Sequence, residues 1–343
     1  WHFHQLGHEV VVLSRSPSPA PWKVLPWDAR TLGPWHAELN GADAVINLAG
    51  RNVNCRYSAT NRQAILASRI DSTRIVGEAI AGSTRPPRVW LQACTATIYS
   101  HRFDAPNDDV DGIIGGNEPN APATWRFSIK VAREWEKALN EAAVPRTRKV
   151  ALRSAMTMSP DRGGVFDVLL GLVRRRLGGR AGDGRQFVSW IHERDFIRAI
   201  EWLIERDDLS GPINICSPNP LPNAEFMAKL RAAWGVRLGL PATRWMLEIG
   251  AWLLRTETEM ILKSRRVVPK RLLQSGFTFE FPDWSDAARD LCQRWIREHQ
   301  PDSGHAALRR TVSSGIAGAA GCSNWLVKTR PTAATATSSA PSG

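Results

Sequence analysis

The chain has 343 residues, 43% of them hydrophobic and 23% charged, with a formal net charge of +12. That length suits one large globular domain or two ordinary ones, and no apolar run reaches the ~20 residues of a bilayer-crossing helix. The positive charge is diffuse, and its densest run, Arg174-Arg175-Arg176, lacks interleaved aromatics, so it reads as a solvated helix face; neither a nucleic-acid nor a membrane partner is expected.

Five cysteines (55, 94, 216, 292 and 322) are scattered, with no CxxC pair and no metal-ligand spacing. Reduced thiols, a cytoplasmic protein and no metal centre are the expectation. Trp1 to Gly7 reads as the end of a helix closed by glycine, His8–Leu13 as a short apolar strand, and Ser14-Arg15-Ser16-Pro17 as the loop that leaves it. Helix, strand and basic loop in that order form the second half of a βαβ unit, whose first strand and Gly-rich turn are expected before residue 1. The chain does not open on Met and so reads as N-terminally truncated. Lys23–Pro26 is an edge-like strand, since proline suits an edge, and Trp27-Asp28 follows it.

Asp43 to Gly50 is an apolar run closing on Asn-x-Ala-Gly, the pattern of a buried parallel strand whose carboxyl end opens onto a ligand crevice. There Asn47 can hold a ribose or fix a loop, and the small residues let a cofactor approach the backbone. Ser58–Ala81 is an amphipathic helix with Ser58 as N-cap and Gly82 as stop. Arg88–Ala93 is a strand running into Cys94-Thr95-Ala96-Thr97-Ile98-Tyr99. Residues 104–122 form a surface loop rich in Asp, Asn, Gly and Pro. Helix Thr124–Ala143 and strand Lys149–Ser154 complete a strand–helix alternation that signals a parallel sheet.

Beyond Pro160 the rhythm changes. Helix Val165–Arg176, a Gly-rich loop at 178–184, one short strand Gln186–Ile191, helix Asp195–Glu205 and a late strand Gly211–Cys216 are followed by a helix at 224–234 capped by Asn223. The remainder to His299 is mostly helical, and from Pro301 the composition is that of a disordered tail.

The fold class expected is α/β: a Rossmann-like doubly wound parallel sheet lacking its first strand, with a smaller, mostly helical C-terminal lobe. Residues 1–160 form the dinucleotide-binding domain, incomplete at its start. Residues 161–299 form a substrate-side lobe with sheet-completing strands and a helical part from about 250, and 300–343 the tail. In the strand order 3-2-1-4-5-6, His8–Leu13 and Asp43–Gly50 then either pair directly or leave a slot of unpaired backbone, and an easily unfolded protein is expected.

Several side chains bear chemistry. Arg15 stands just past the second strand, where an acid bonds ribose hydroxyls and an arginine accommodates a 2′-phosphate. No acid lies in 14–16, so NADP(H) is preferred over NAD(H). A hydroxyl at Thr95, closing the strand at the sheet edge, can hold a substrate oxygen. His192 and Asp195 sit at a strand-to-helix junction, and Asp195 reads as a helix cap.

The series Val45-Ile-Asn-Leu-Ala-Gly50, Ser68-Arg69-x-x-x-Thr73, Thr95-Ala-Thr-Ile-Tyr99 and Trp135-Glu136 resembles the extended short-chain dehydrogenase/reductases. Gly182-x-Gly184-Arg-Gln186, Trp190-Ile-His192-x-x-Asp195 and Pro218-Asn-Pro-x-x-Asn223-Ala-Glu-Phe226, with Val268-Pro-x-Arg271 and Gly276-Phe277, are similar to one branch. That branch is the epimerase-like family with an added C-terminal domain of unknown function, some of whose members are called cell-division inhibitors. The resemblance covers residues 6 to 295. It implies an NADP-binding epimerase or reductase acting on a small polar, sugar-like or carbonyl substrate. It assigns the active-site hydroxyl to Thr95 and the adenine-side acid to Asp28. The cofactor-lining positions it implies are Asn47, Leu48, Ala49, Gly50, Arg69 and Ala93.

Two departures stand out. The Gly-rich phosphate turn at the family's N-terminus is missing, and with it the helix N-terminus that holds a pyrophosphate. The Tyr-x-x-x-Lys dyad that passes the proton is missing too. Only Tyr57 and Tyr99 are present, and the corresponding helix offers Arg126-x-x-x-Lys130 or Ser128 and Ala132. Tyr99 and Lys130 are therefore the substitute acid/base candidates, and a catalytically silent dinucleotide-binding or regulatory protein, linked to cell division, is the alternative.

Overall fold

The alternating strands and helices assemble into a seven-stranded sheet in the order β2-β1-β11-β3-β4-β5-β9. The computed structural model describes residues 1–119, 121–243, 246, 259–299 and 323–328. The strands are β1 Glu9–Ser14, β2 Lys23–Pro26, β3 Ala44–Asn47, β4 Val89–Thr95, β5 Arg148–Ser154, β9 Gly211–Ile215 and β11 Ser323–Lys328. All neighbours pair in parallel except β11, which runs antiparallel to both β1 and β3.

Side chains two apart on a strand share a face, and the burial follows that period. Val10, Ala44, Ile46, Val89, Leu91, Val150, Leu152, Ile213 and Ile215 build one core. It is closed by Ala199, Ile200, Leu203 and Ile204 of α5 (Glu193–Glu205). Val11, Leu13, Val45, Trp90, Cys94 and Ala151 build the other. Ile75, Val76, Ala79 and Ile80 of α2 (Ala59–Ala81) and Leu139 of α3 (Ala123–Glu141) cover it. Strands buried on both faces need helices on both faces, which is the doubly wound arrangement. The first helix, α1 (His2–Gln5), ends at Gly7, whose φ of 84° suits a residue without a Cβ. Ser58 caps α2, its side chain accepting a hydrogen bond from the Asn61 N–H.

The slot expected between β1 and β3 is corrected by β11. Those two strands neither pair directly nor stand apart, because a segment expected to be disordered tail lies between them. Val11 and Val45 both register with Leu326, Ser14 with Ser323, Asn47 with Asn324 and Glu9 with Lys328. The chain therefore enters β11 at the carboxyl edge of the sheet. The rest of the expected tail, 300–322 and 329–343, lies outside the described residues, as do 244–245 and 247–258 of the helical C-terminal part.

The lobe gathers α4 (Val165–Arg174), α6 (Asn223–Trp234) and a final long helix around Trp190, Trp284 and Phe226. Two short helices, α7 (Glu259–Leu262) and α8 (Lys270–Gln274), lead into that final helix, α9 (Trp284–His299). The strand expected at 186–191 is two strands in different sheets. Here β7 (Phe187–Val188) pairs antiparallel with β10 (Leu221–Pro222), and β8 (Trp190–His192) pairs in parallel with β6 (Met156–Met158). The change falls at Ser189, whose hydroxyl donates to the Arg265 carbonyl at 2.6 Å. Asn223 does not cap α6 either. It is the first residue of that helix, and its side chain accepts from the Ala181 N–H at 2.8 Å. Nor does the 104–122 stretch lie wholly on the surface, since Asn107 and Asp109 are buried. Among the described residues no helix is long and apolar enough to cross a membrane.

Candidate functional site

Parallel strands bring their carboxyl ends to one edge, and most of the residues singled out from sequence meet there. Asn47 registers with Gln92 across β3 and β4. Its amide donates to Gln92 Oε1 at 2.9 Å, and its own Oδ1 accepts the Ala49 N–H at 2.9 Å. A fully buried amide costs several kcal/mol unless its donors and acceptors are matched, and here both are. Asn47 therefore fixes the loop, of the two roles open to it, and sets the backbone of Leu48, Ala49 and Gly50. Gly50 is hemmed by Arg69, since an added Cβ would lie 3.3 Å from the guanidinium carbon. Arg69 itself donates to the carbonyls of Arg51 and Ile65 at 3.1 and 3.0 Å and lies 4.9 Å over the Trp135 ring.

Arg15 is exposed at the carboxyl end of β1. Asp28, after β2, is also exposed. Its carboxylate accepts the N–H groups of Arg30 and Thr31 at 2.9 Å each and the Thr31 hydroxyl at 2.7 Å. Those bonds, Thr31 first, hold its pKa below the ordinary carboxylate value. They also close the turn around Ala29, whose φ is 65°.

In the next strand Ala93 is half-buried, and Thr95 ends β4 in a tight turn. The Thr97 N–H donates to Thr95 Oγ1 at 3.2 Å, which uses one lone pair and leaves the hydroxyl hydrogen as a donor. Tyr99 stands behind this turn. Its hydroxyl donates to Asn214 Oδ1 at 2.8 Å and accepts from Arg153 Nη1 at 2.9 Å. Burial, against the opposing pull of Arg153, pushes the phenol up to about 12. Arg153 is gripped from the far side by Glu136, two bonds of 2.8 Å each. Burial works against the Arg153 charge, but Glu136 and Tyr99 more than offset it, and its pKa lies above the ordinary value.

On α3, Ala132 is buried against Ala96, Ile98 and Tyr99, while Lys130 and Arg126 are exposed. The helix thus presents alanine, not a phenol, to the turn after β4, and Lys130 is not among the residues brought together. Asp195 is buried and does not cap its own helix. His192 does so, its Nδ1 accepting from the Arg194 N–H at 3.1 Å. The Asp195 carboxylate instead accepts from Glu280 N and Phe281 N, both at 2.8 Å, and ties down the approach to α9. Sequence reasoning missed Gln92, although a polar residue interrupting the apolar stretch Val89–Cys94 was a legible signal. It also missed Arg153 and Asn214, which only the fold brings to Tyr99.

The described residues fit the adenosine half of a dinucleotide: a basic residue past β1, an acid past β2, and small residues with a fixed backbone after β3. At the position where a strand-to-helix turn meets a pyrophosphate, the occupant β11 runs the other way. Together the doubly wound sheet and its flanking helices define a Rossmann-like α/β protein.

The chain belongs to the NAD dependent epimerase/dehydratase family, whose profile matches residues 2–216. A second profile, a domain of unknown function (DUF1731), matches residues 242–291. Epimerase family protein SDR39U1 of Homo sapiens is 29% identical over 290 residues, covering 83% of this chain and 92% of the human one. Its Bos taurus counterpart is 30% identical over 291 residues with the same coverages. The crystal structure of the human protein (isoform2) with NADPH superposes with a TM-score of 0.73 at 28% identity, covering 85% of this chain and 93% of that one. A nucleoside-diphosphate sugar epimerase from Corynebacterium glutamicum superposes with a TM-score of 0.59 at 27% identity, covering 88% and 58%.

Proposed function

We propose that this NAD(P)-dependent epimerase-family protein binds NADP(H) in preference to NAD(H) and works on a small polar substrate, sugar-like or carbonyl. The observation that carries the reading is the Thr95 hydroxyl at the carboxyl end of β4. It is half-buried beside the Asn47–Gly50 edge, with its oxygen pinned by the Thr97 N–H and its hydrogen left to donate. Such a group orients a substrate oxygen. A bound nicotinamide supplies or takes the hydride. Arg15 would meet the 2′-phosphate, Asp28 the adenine side, and the backbone at Leu48, Ala49 and Gly50 the body of the cofactor. The human relative crystallised with NADPH supports the cofactor choice. Tyr99 would act as acid/base only by giving up its bonds to Asn214 and Arg153.

The test is a fluorescence titration with NADPH and NADH, run beside hydride transfer from isotopically labelled NADPH to a panel of sugars and keto compounds. Replacing Arg15→Glu trades a charge-assisted phosphate contact for a repulsion. Removing a contact worth about 1.5–3 kcal/mol weakens NADPH binding tenfold or more and leaves NADH binding little changed. Equal losses for both cofactors would overturn the assignment of Arg15. Full-rate transfer by Thr95→Ala would overturn that of Thr95.

A further inference from the structure

One buried cation near the candidate site comes from an unexpected part of the chain. Lys263, in the segment matched by the domain of unknown function, is 1% exposed. A buried ammonium is tolerated only where carbonyl or carboxylate oxygens replace its water. Lys263 Nζ donates to the Thr97 carbonyl at 2.8 Å, within the turn that follows Thr95. The residues after it form a strap along the 97–111 loop. Ser264 donates its N–H to His101 Nδ1 at 2.8 Å and its hydroxyl to the Arg102 carbonyl at 3.2 Å. Asn107 pairs with Val267 in a parallel bridge, and the Arg271 N–H reaches Asp109 Oδ1 at 3.0 Å.

We propose that Lys263 is a positioning residue for the Thr95 hydroxyl: its ammonium, seated on the Thr97 carbonyl, clamps the turn in which the Thr97 N–H pins Thr95 Oγ1. The strap thereby gives the domain of unknown function a share in the site, as the back wall of the substrate-orienting turn. This rests on the reading that Thr95 orients substrate. The two parts of the bond chain, Lys263 Nζ to Thr97 O and Thr97 N to Thr95 Oγ1, share one residue. With a residue's N and O about 3.5 Å apart at most, the ammonium lies within roughly 10 Å of the hydroxyl. At that distance in a half-buried setting a unit charge is still felt. The neighbouring groups agree. Burial first and the Lys263 charge second hold the His101 pKa below its ordinary value; against burial, the pKa of Glu118 is kept low mainly by the backbone N–H groups it accepts, with a smaller pull from Lys263. Glu118 in turn accepts the N–H groups of His101 and Gly116, at 3.0 and 2.6 Å, so the charge and its counter-charge flank one loop.

A thiol at position 95 reads the charge and the geometry without any substrate. In full-length Thr95→Cys the rate of alkylation by iodoacetamide against pH gives the thiol pKa. Tandem mass spectrometry separates residue 95 from Cys94, whose own thiol burial pushes far up. Adding Lys263→Met raises the pKa at position 95 by about half a unit or more at low salt, and Lys263→Arg restores it. Glu136 and Arg153, the other charges that reach Cys94, are common to every variant. Identical profiles in all three proteins would overturn the proposal, as would a rise in the arginine variant equal to that with methionine. If the methionine variant melts too low to assay, Lys263→Gln, which removes the charge but keeps an N–H donor for the Thr97 carbonyl, takes its place: a raised thiol pKa relative to Thr95→Cys supports the proposal and an unchanged one overturns it. Failure of the substrate reading shows separately, as full-rate hydride transfer by Thr95→Ala.

Discussion

Tyr99 shows how much one residue is decided by its partners. As a phenol at the end of a strand it is an acid/base candidate, yet in the fold it is 2% exposed and bonded on both sides, to Asn214 and Arg153. Replacing Tyr99→Phe leaves those two buried groups short of a partner and costs about 1–3 kcal/mol each way such a group is stranded, read as a fall in melting temperature. The phenol should also titrate late. Its folded pKa, about 12, lies above the reference of 10.0, so the folded state holds the proton where the unfolded state releases it. The stability it contributes is complete below pH 10 and is lost as pH rises from 10 towards 12. With only two tyrosines in the chain, absorbance at 295 nm should resolve a tyrosinate step near 12 that Tyr99→Phe removes. A wild-type titration finished by pH 10.5 would contradict the buried network.

At the scale of elements, local pattern carried the sheet and long-range contact carried the corrections. The apolar run ending in Asn47 and the Ser58 N-cap were legible because strand period and capping are written in adjacent residues. The split at Ser189 was not, because that hydroxyl is claimed by Arg265 and Val267, dozens of residues away. The same holds for Asp195, which sits in the first turn of α5 where a cap was expected, while its oxygens serve the segment before α9. That tether joins the sheet-flanking helix α5 to the lobe, seconded by His192 Nε2 and Asp290 Oδ2 at 3.1 Å. Replacing Asp195→Ala strands the Glu280 and Phe281 N–H groups. Loss of bonds to a charged acceptor costs about 1.5–3 kcal/mol apiece. Amides of residues 284–292 should then exchange faster than those of β4, by hydrogen–deuterium exchange. Uniform protection across both would mean that α9 is held by its apolar face alone.

The whole molecule turns on what sits beside the topological switch point. A doubly wound sheet cannot leave two central strands with open edges, since every buried N–H and C=O there must find a partner. Here the partners come from β11, six register pairs with β1 and four with β3. Each backbone bond of that ladder nets about 0.5–1.5 kcal/mol. Composition could not reveal this, because a six-residue strand in a Ser-, Ala- and Gly-rich tail gains its stability only from the edges it joins. A proline in a central strand removes a ladder donor and is tolerated almost nowhere but at edges. Replacing Leu326→Pro should therefore lower the melting temperature by several degrees and speed amide exchange at Val10–Leu13 and Ala44–Ile46 together, since both strands lose the same neighbour. NADPH binding should weaken in step, because the carboxyl ends of β1 and β3 carry Arg15 and the Asn47–Gly50 turn. An unchanged melt with unchanged exchange in β1 and β3 would mean that those strands are satisfied without β11.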